Sequence, residues 1–349
     1  MKQLFFLIIL SIIHLSSYAQ TAYIASEYFS AVKVINVATN AVVASIPVGA
    51  NPIGVSVSPD GNKVYVANSQ SNTVSVINSA TNTVSATIPV GSLPFGLAVC
   101  PDGSRVYVSN YNNSTISVIN SATNTVSATI AVGNGPRGIV VSPDGNKVYV
   151  ATQVNNSVCV INSATNTVIK TIYAESFPES IAISPDGTKV FVVVSNANKI
   201  CVINSSADTV MKRVYIGRWP EGIAISPDGS EIYVSNMDND NVSVMNSATF
   251  TIEATIPVGH SPRGISVSPD GSKVYVLNYL ASSISVINTA TNTVSSTISV
   301  GLFPSSFGNF ISSNIYSCGH SISGKTRYAA KANTVLHPTP QHIILLFTI

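Results

Sequence analysis

Four charged side chains recur at one slot of the chain, each directly after a proline: Arg137, Glu179, Glu221 and Arg263, spaced 42 residues apart. The same slot holds Ile53, Phe95 and Ser305 in the remaining copies. Two acids and two arginines at one spacing permit three kinds of chemistry. They can merely neutralise each other, they can hold a polar ligand through arginine forks and carboxylate acceptors, or, with further oxygen donors, they can take a divalent metal for hydrolysis. The segments that carry the slot also contain Glu175, Phe177, Arg218, Trp219 and His260, and a second group of loops adds Tyr28, Phe29, Tyr111, Asn112, Gln153, Asn236, Asp238 and Tyr279. Aromatic rings beside arginine and amide groups suit sugars, short peptides or single-stranded nucleic acid, because stacking supplies affinity without a strong net field. The residues expected to form the binding face are Phe95, Tyr111, Arg137, Glu179, Arg218, Trp219, Glu221, Asn236, His260, Arg263 and Tyr279.

Catalytic readings have thinner support. Apart from six aspartates in a recurring turn, the acids are Glu27, Glu175, Glu179, Glu221, Glu231, Glu253, Asp208, Asp238 and Asp240. A Ser-His-Asp site would need an acid beside His260, and the spacing shows none. Glu179, Glu221 and Asn236 are the oxygen donors available to a metal, yet no residue set is assigned to one. The run from Asp238 to Asn241 lacks the glycine and closing glutamate of a calcium loop and reads as a polar turn. No glycine-rich phosphate loop runs from a strand into a helix.

The frame that must position these residues is a repeat. Pro-Asp-Gly recurs with its aspartate at Asp60, Asp102, Asp144, Asp186, Asp228 and Asp270, a constant step of 42, and the asparagine closing "VIN" or its variants falls at Asn36, Asn78, Asn120, Asn162, Asn204, Asn246 and Asn288. Each unit splits into four short alternating segments, as in GVSVS, KVYVAN, TVSVIN and TVSATIPV, separated by turn residues. Period-two patterning with regular turns specifies strands, and a four-stranded unit of this period specifies a propeller. The fold expected is all-β, a seven-bladed propeller. Residues 22–48 supply only the second to fourth strands of a blade, while Ser306–Ile311 supply only a first, so the C-terminal strand should join the N-terminal blade, lie innermost and close the ring. The Pro-Asp-Gly and NSATNT turns then share one face, and most of the six aspartates are structural there. The variable connections share the other face.

Composition bounds the rest. Charged residues make up 9% of the chain and the net charge is +2, which leaves no footprint for duplex nucleic acid or an anionic membrane. The apolar run Leu4–Ile13 followed by Ser17-Tyr18-Ala19 reads as a signal peptide over residues 1–19, so the protein is expected to be secreted or periplasmic, with possible attachment at the cell surface. The propeller occupies 20–311, and the tail 312–349 has no assignment. Cys159 and Cys201 fill one slot in consecutive units, where packed sheets lie about 10 Å apart, beyond the roughly 7 Å reach of a disulfide.

The units SPDGNKVYVANSQSNTVSVINSATNTV and SPDGSKVYVLNYLASSISVINTATNTV resemble the YVTN family of β-propeller repeats. The resemblance covers some 290 of the 349 residues and implies a seven-bladed, lactonase-like propeller of exported or surface-layer type. The function expected is a non-catalytic binding platform acting through the variable face, with a glycan, peptide or surface protein as partner and no cofactor. The alternatives are a lactonase-like, metal-dependent hydrolase and an extracytoplasmic protein that binds single-stranded nucleic acid.

Overall fold

The computed structural model describes residues 20–312; the signal peptide expected over 1–19 and the expected tail beyond its first residue lie outside them. Three strands, β1 (Thr21–Ser26), β2 (Ala31–Asn36) and β3 (Ala41–Pro47), form the first sheet. Six complete antiparallel blades follow, their innermost strands opening at Pro52, Pro94, Pro136, Pro178, Pro220 and Pro262. The architecture is the seven-bladed, all-β propeller that the repeat specifies, with a single short 3-10 turn at Met237–Asn239 as the helical element among the described residues.

Apolar side chains of the second and third strands fill the space between blades. Tyr23, Tyr65, Tyr107, Tyr149, Tyr233 and Tyr275 occupy one slot, with Phe191 in the remaining copy, and all are buried. Burying an aromatic ring contributes about 1.5–3 kcal/mol, and repetition of the slot holds each blade to its neighbour. Polar latches add to this packing: Lys63 Nζ donates to the Ser121 carbonyl of the next blade, and Tyr149 hydroxyl donates to Asp208 at 2.9 Å. Cys100, Cys159 and Cys201 are free thiols inside the blades.

The Pro-Asp-Gly aspartates are turn-builders. In the first copy Ser58 Oγ donates to Asp60, which also accepts the Asn62 amide at 3.1 Å, and Gly61 takes φ 70°. The opposite face is fixed by hydrogen bonds between each inter-blade connection and the loop joining strands two and three, such as Ser69 N to Asn51 O at 2.9 Å.

Ring closure is more intricate than one added strand. Pro304 bridges Ser26 and Ile311 bridges Ala22, so both ends of the segment pair with β1. Between them the backbone crosses to the neighbouring blade, where the Phe307 and Asn309 carbonyls accept Val55 N at 3.1 Å and Val57 N at 3.0 Å. Gly308 permits the crossing: it holds φ 112°, and a Cβ there would sit 2.6 Å from the Val55 carbonyl oxygen. The segment therefore ties the last residues of the propeller to two blades at once.

Candidate functional site

The post-proline residue of each complete blade sits on a defect in its sheet. Pro136 pairs with Thr152 and Ile139 with Val150, so Arg137 and Gly138 occupy a one-residue register shift, and the same shift recurs in every complete blade. A bulge of this kind re-aims the side chain it carries, here toward the mouth of the central channel. The following glycine lets neighbouring inner strands approach, since a Cβ on Gly222 would overlap the Arg263 carbonyl oxygen. Serines of the second strands then clamp these carbonyls: Ser109 Oγ donates to Arg137 O at 2.7 Å and Ser235 Oγ to Arg263 O at 2.5 Å.

A second tier stands beside this ring. The residue directly after each second strand, in the order Glu27, Ser69, Tyr111, Gln153, Ser195, Met237 and Tyr279, donates its amide to the carbonyl of the residue before the connection's proline, for example Met237 N to Trp219 O at 2.9 Å. Those pre-proline residues are left-handed even where bulky: Phe177 has φ 65°, Trp219 46° and Phe303 56°. Left-handed backbone at such residues is an uncommon and strained choice. Side-chain acceptors hold it in place, with Asn156, Asn198 and Asp240 taking the amides of Phe177, Trp219 and Ser261.

The two tiers meet in a pair of half-sites. In one, Arg137 Nη1 lies 2.5 Å from Glu179 Oε2 and its guanidinium stacks 4.0 Å over Phe95, whose ring lies 5.1 Å from Phe307. Gln153 Nε2 donates to Glu179 Oε1 at 2.5 Å, while Gln153 Oε1 accepts the Tyr111 hydroxyl at 2.9 Å. In the other, Arg263 stacks 3.6 Å over Tyr279, whose hydroxyl donates to Glu27 at 3.3 Å. Arg263 Nε is 3.5 Å from Glu221 Oε2, and both atoms are buried without a hydrogen-bond partner among the described residues, as is Arg137 Nε. Around the ring the order is Arg, Glu, Glu, Arg in four successive blades.

Burial sets the electrostatics. It pushes Glu179 up to about 7 against the pull of Arg137, and the neighbouring Glu221 charge raises it further. Burial also raises Glu221 against Arg263 and Arg137, and raises Glu27 against Ser305 and Arg263. The arginine side chains keep 18% and 27% exposure where their glutamate partners keep 5% and 8%. The charge presented to solvent is therefore cationic, above carboxyl groups that resist ionisation.

The comparisons with known proteins bear on the fold that carries this site. The family model described as lactonase, 7-bladed beta-propeller, matches residues 120–253 and 205–300, together just over half of the chain and including all four charged ring residues. The chain belongs to that seven-bladed propeller family. A YNCE-like beta-propeller model matches residues 55–146, and no curated protein matches the sequence. Among solved structures, hydrazine synthase of Kuenenia stuttgartiensis is similar at 21% identity and TM-score 0.68, over 76% of this chain and 96% of that one. A functionally unknown protein from Desulfotomaculum acetoxidans DSM 771 aligns at 17% identity and TM-score 0.72, over 82% and 99%. Dihydro-heme d1 dehydrogenase NirN in complex with DHE aligns at 17% and 0.62, over 80% and 63%. At such identities the likeness shows the fold alone.

Within this family fold, Phe95, Tyr111, Arg137, Glu179, Glu221, Arg263 and Tyr279 converge as the sequence places them. Arg218, Trp219 and His260 lie on the exposed connections outside the two half-sites. His260 Nδ1 lies 2.9 Å from Asp240 Oδ1, an acid that spacing alone did not bring to it, but the pair is exposed and no serine hydroxyl bonds to His260 among the described residues. Asn236 is buried within its blade, its amide donating to Asn241 and Ser243, because this slot packs beneath Gly217. It offers no donor to the mouth, and the described residues hold no cluster of three metal-ligating side chains.

Glu27, Phe303 and Phe307 join the site without having been singled out. The signal for Glu27 was its place in the 42-residue series that contains Tyr111, Gln153 and Tyr279. Below the ring runs a channel of about 650 Å³, lined from Gly96, Gly138 and Gly222 to Pro185 and Pro227, and none of its lining residues is charged. The chemistry is confined to the mouth.

Proposed function

We propose that this protein is an exported recognition platform that binds a polar, ring-containing ligand, a glycan or short peptide, at the Arg-Glu-Glu-Arg mouth. One observation carries the reading: Arg137 and Arg263 each stack on an aromatic ring and are backed by a buried glutamate, while their own side chains stay partly exposed. Stacking fixes the guanidinium planes in advance, so little side-chain entropy is lost when a ligand engages their edges. Single-stranded nucleic acid fits less well, because two arginines and a net charge of +2 supply no extended cationic track for a phosphate backbone. The test is Arg137→Ala with Arg263→Ala on glycan and peptide arrays. Loss of the wild-type signal is expected, and an unchanged profile removes the mouth from recognition.

A hydrolytic reading draws on a different feature, the buried Glu179 and Glu221 of consecutive blades, whose carboxyl groups are both pushed up by burial and so suit proton transfer. Turnover separates the two: a hydrolase converts lactone or ester substrates and loses that turnover on Glu179→Gln, whereas a binding platform has no turnover to lose.

A further inference from the structure

The half-site at Arg263 continues outward as a row of aromatic rings. Tyr279, under the guanidinium, lies 4.9 Å from Phe303; Phe303 lies 6.4 Å from Tyr28; and Tyr28 lies 5.1 Å from Phe29. Exposure rises along the row, from the half-buried Tyr279 and Phe303 to 66% for Tyr28 and 51% for Phe29. Large aromatic side chains left open at the end of a preformed row mark a surface with a partner.

The row is held rigid. Phe303 is left-handed at φ 56°, its carbonyl takes Glu27 N at 3.3 Å, and the preceding Leu302 carbonyl takes Ser26 Oγ at 3.1 Å. Gly301, at φ 88°, passes under Phe29 where a Cβ would lie 3.2 Å from the ring. The two halves of this surface come from opposite ends of the propeller and are fixed together by ring closure.

Resting on the mouth as the binding site, we infer that the ligand is an oligosaccharide chain, one end held at Arg263 and successive sugars lying over Tyr279, Phe303, Tyr28 and Phe29. Sugar rings present apolar C–H faces to aromatic rings and hydroxyls to neighbouring polar groups, which here are Glu27 and the tyrosine hydroxyls. A nucleic-acid strand would need cations along the row, yet among the described residues only Lys33 approaches it beyond Arg263, 5.9 Å from Phe29. A peptide adding as a strand would need a free sheet edge, and β1 is paired on both sides, with β2 and with the closing segment.

The test is titration of the mature protein with neutral chito-oligosaccharides and acidic oligogalacturonates, each from monosaccharide to hexasaccharide. Affinity for one series is expected to rise about tenfold or more with length, the equivalent of about 1.4 kcal/mol. Tyr28→Ala with Phe29→Ala should flatten that rise while leaving the shortest binder within about twofold, and both residues are exposed enough for the variant to fold. Arg137→Ala with Arg263→Ala should weaken every length. Binding that depends on the arginines but not on length removes the aromatic row and leaves the mouth. Length-dependent binding that ignores the arginines removes the mouth and this inference with it, and failure to bind either series overturns the inference.

Discussion

Arg137 and Glu179 occupy the same repeat slot in consecutive blades and meet at 2.5 Å with opposite charge. Breaking a buried ion pair by removing one partner costs about 3–5 kcal/mol, because the other charge is left uncompensated. For Glu179 that cost has a pH dependence. Its folded value, about 7, lies above the ordinary carboxyl range, so the native state binds more protons than the unfolded chain. Its contribution to stability is complete below the ordinary carboxyl range and is lost as pH rises through about 7. Arg137→Ala removes the main opposing influence and should destabilise by about 3 kcal/mol near pH 8, and by much less near pH 5.5, where Glu179 takes up a proton. Urea unfolding at both pH values checks this, and equal losses would uncouple Glu179 from the pair. The turn aspartates act with the opposite sign: Ser142 Oγ and the Asn146 amide hold Asp144 below its ordinary range, so stability from that group is lost only as pH falls through its folded value.

The closing segment makes a separate prediction. Phe310 is fully buried and its carbonyl takes the Tyr23 amide at 2.8 Å. Phe310→Ala should cost about 3–5 kcal/mol through the cavity it leaves. Gly308→Val should also destabilise, since the crossing strand cannot tolerate a side chain at φ 112° against Val55. Hydrogen exchange should show the amides of Tyr23 and Val55 losing protection first. If both variants melt as wild type with those amides still protected, two-blade closure is wrong.

The repeat made the architecture legible because period and turn chemistry are local properties, read in every copy. It also located Arg137, Glu179, Glu221 and Arg263, since their departure from the consensus falls at one position of the register. Contacts that cross registers were harder to read. Glu27 meets Tyr279 only because the first and last blades become neighbours on closure, a separation of 252 residues. Asn236 was misleading in the other direction. An amide at a loop boundary suggests a binding group, but Asn68, Asn110 and Asn278 fill the same slot beneath Gly49, Gly91 and Gly259. Where that asparagine becomes Val194, the opposing glycine becomes Glu175, which pairs with Lys199 and Arg213 instead.

Trp219 is the single tryptophan of the chain, and its backbone is held at φ 46° by Asn198, whose Oδ1 accepts its amide at 2.8 Å. Its carbonyl is tied to Met237 N, and the chain then passes through Pro220 to Glu221 in the mouth. Asn198 is itself left-handed, at φ 57°. Asn198→Ala therefore removes an acceptor and places alanine in a conformation it disfavours, a cost of roughly 1–2 kcal/mol. Intrinsic fluorescence should shift to longer wavelength as the connection loosens. Asn198→Asp should retain the wild-type spectrum, because Asp240 already performs this task for the Ser261 amide at 2.8 Å. If alanine and aspartate behave alike, the side-chain acceptor does not hold the strained connection. If only alanine shifts the emission, Trp219 reports on the backbone that presents Glu221, and the same signal can follow ligand entry at the mouth without a label.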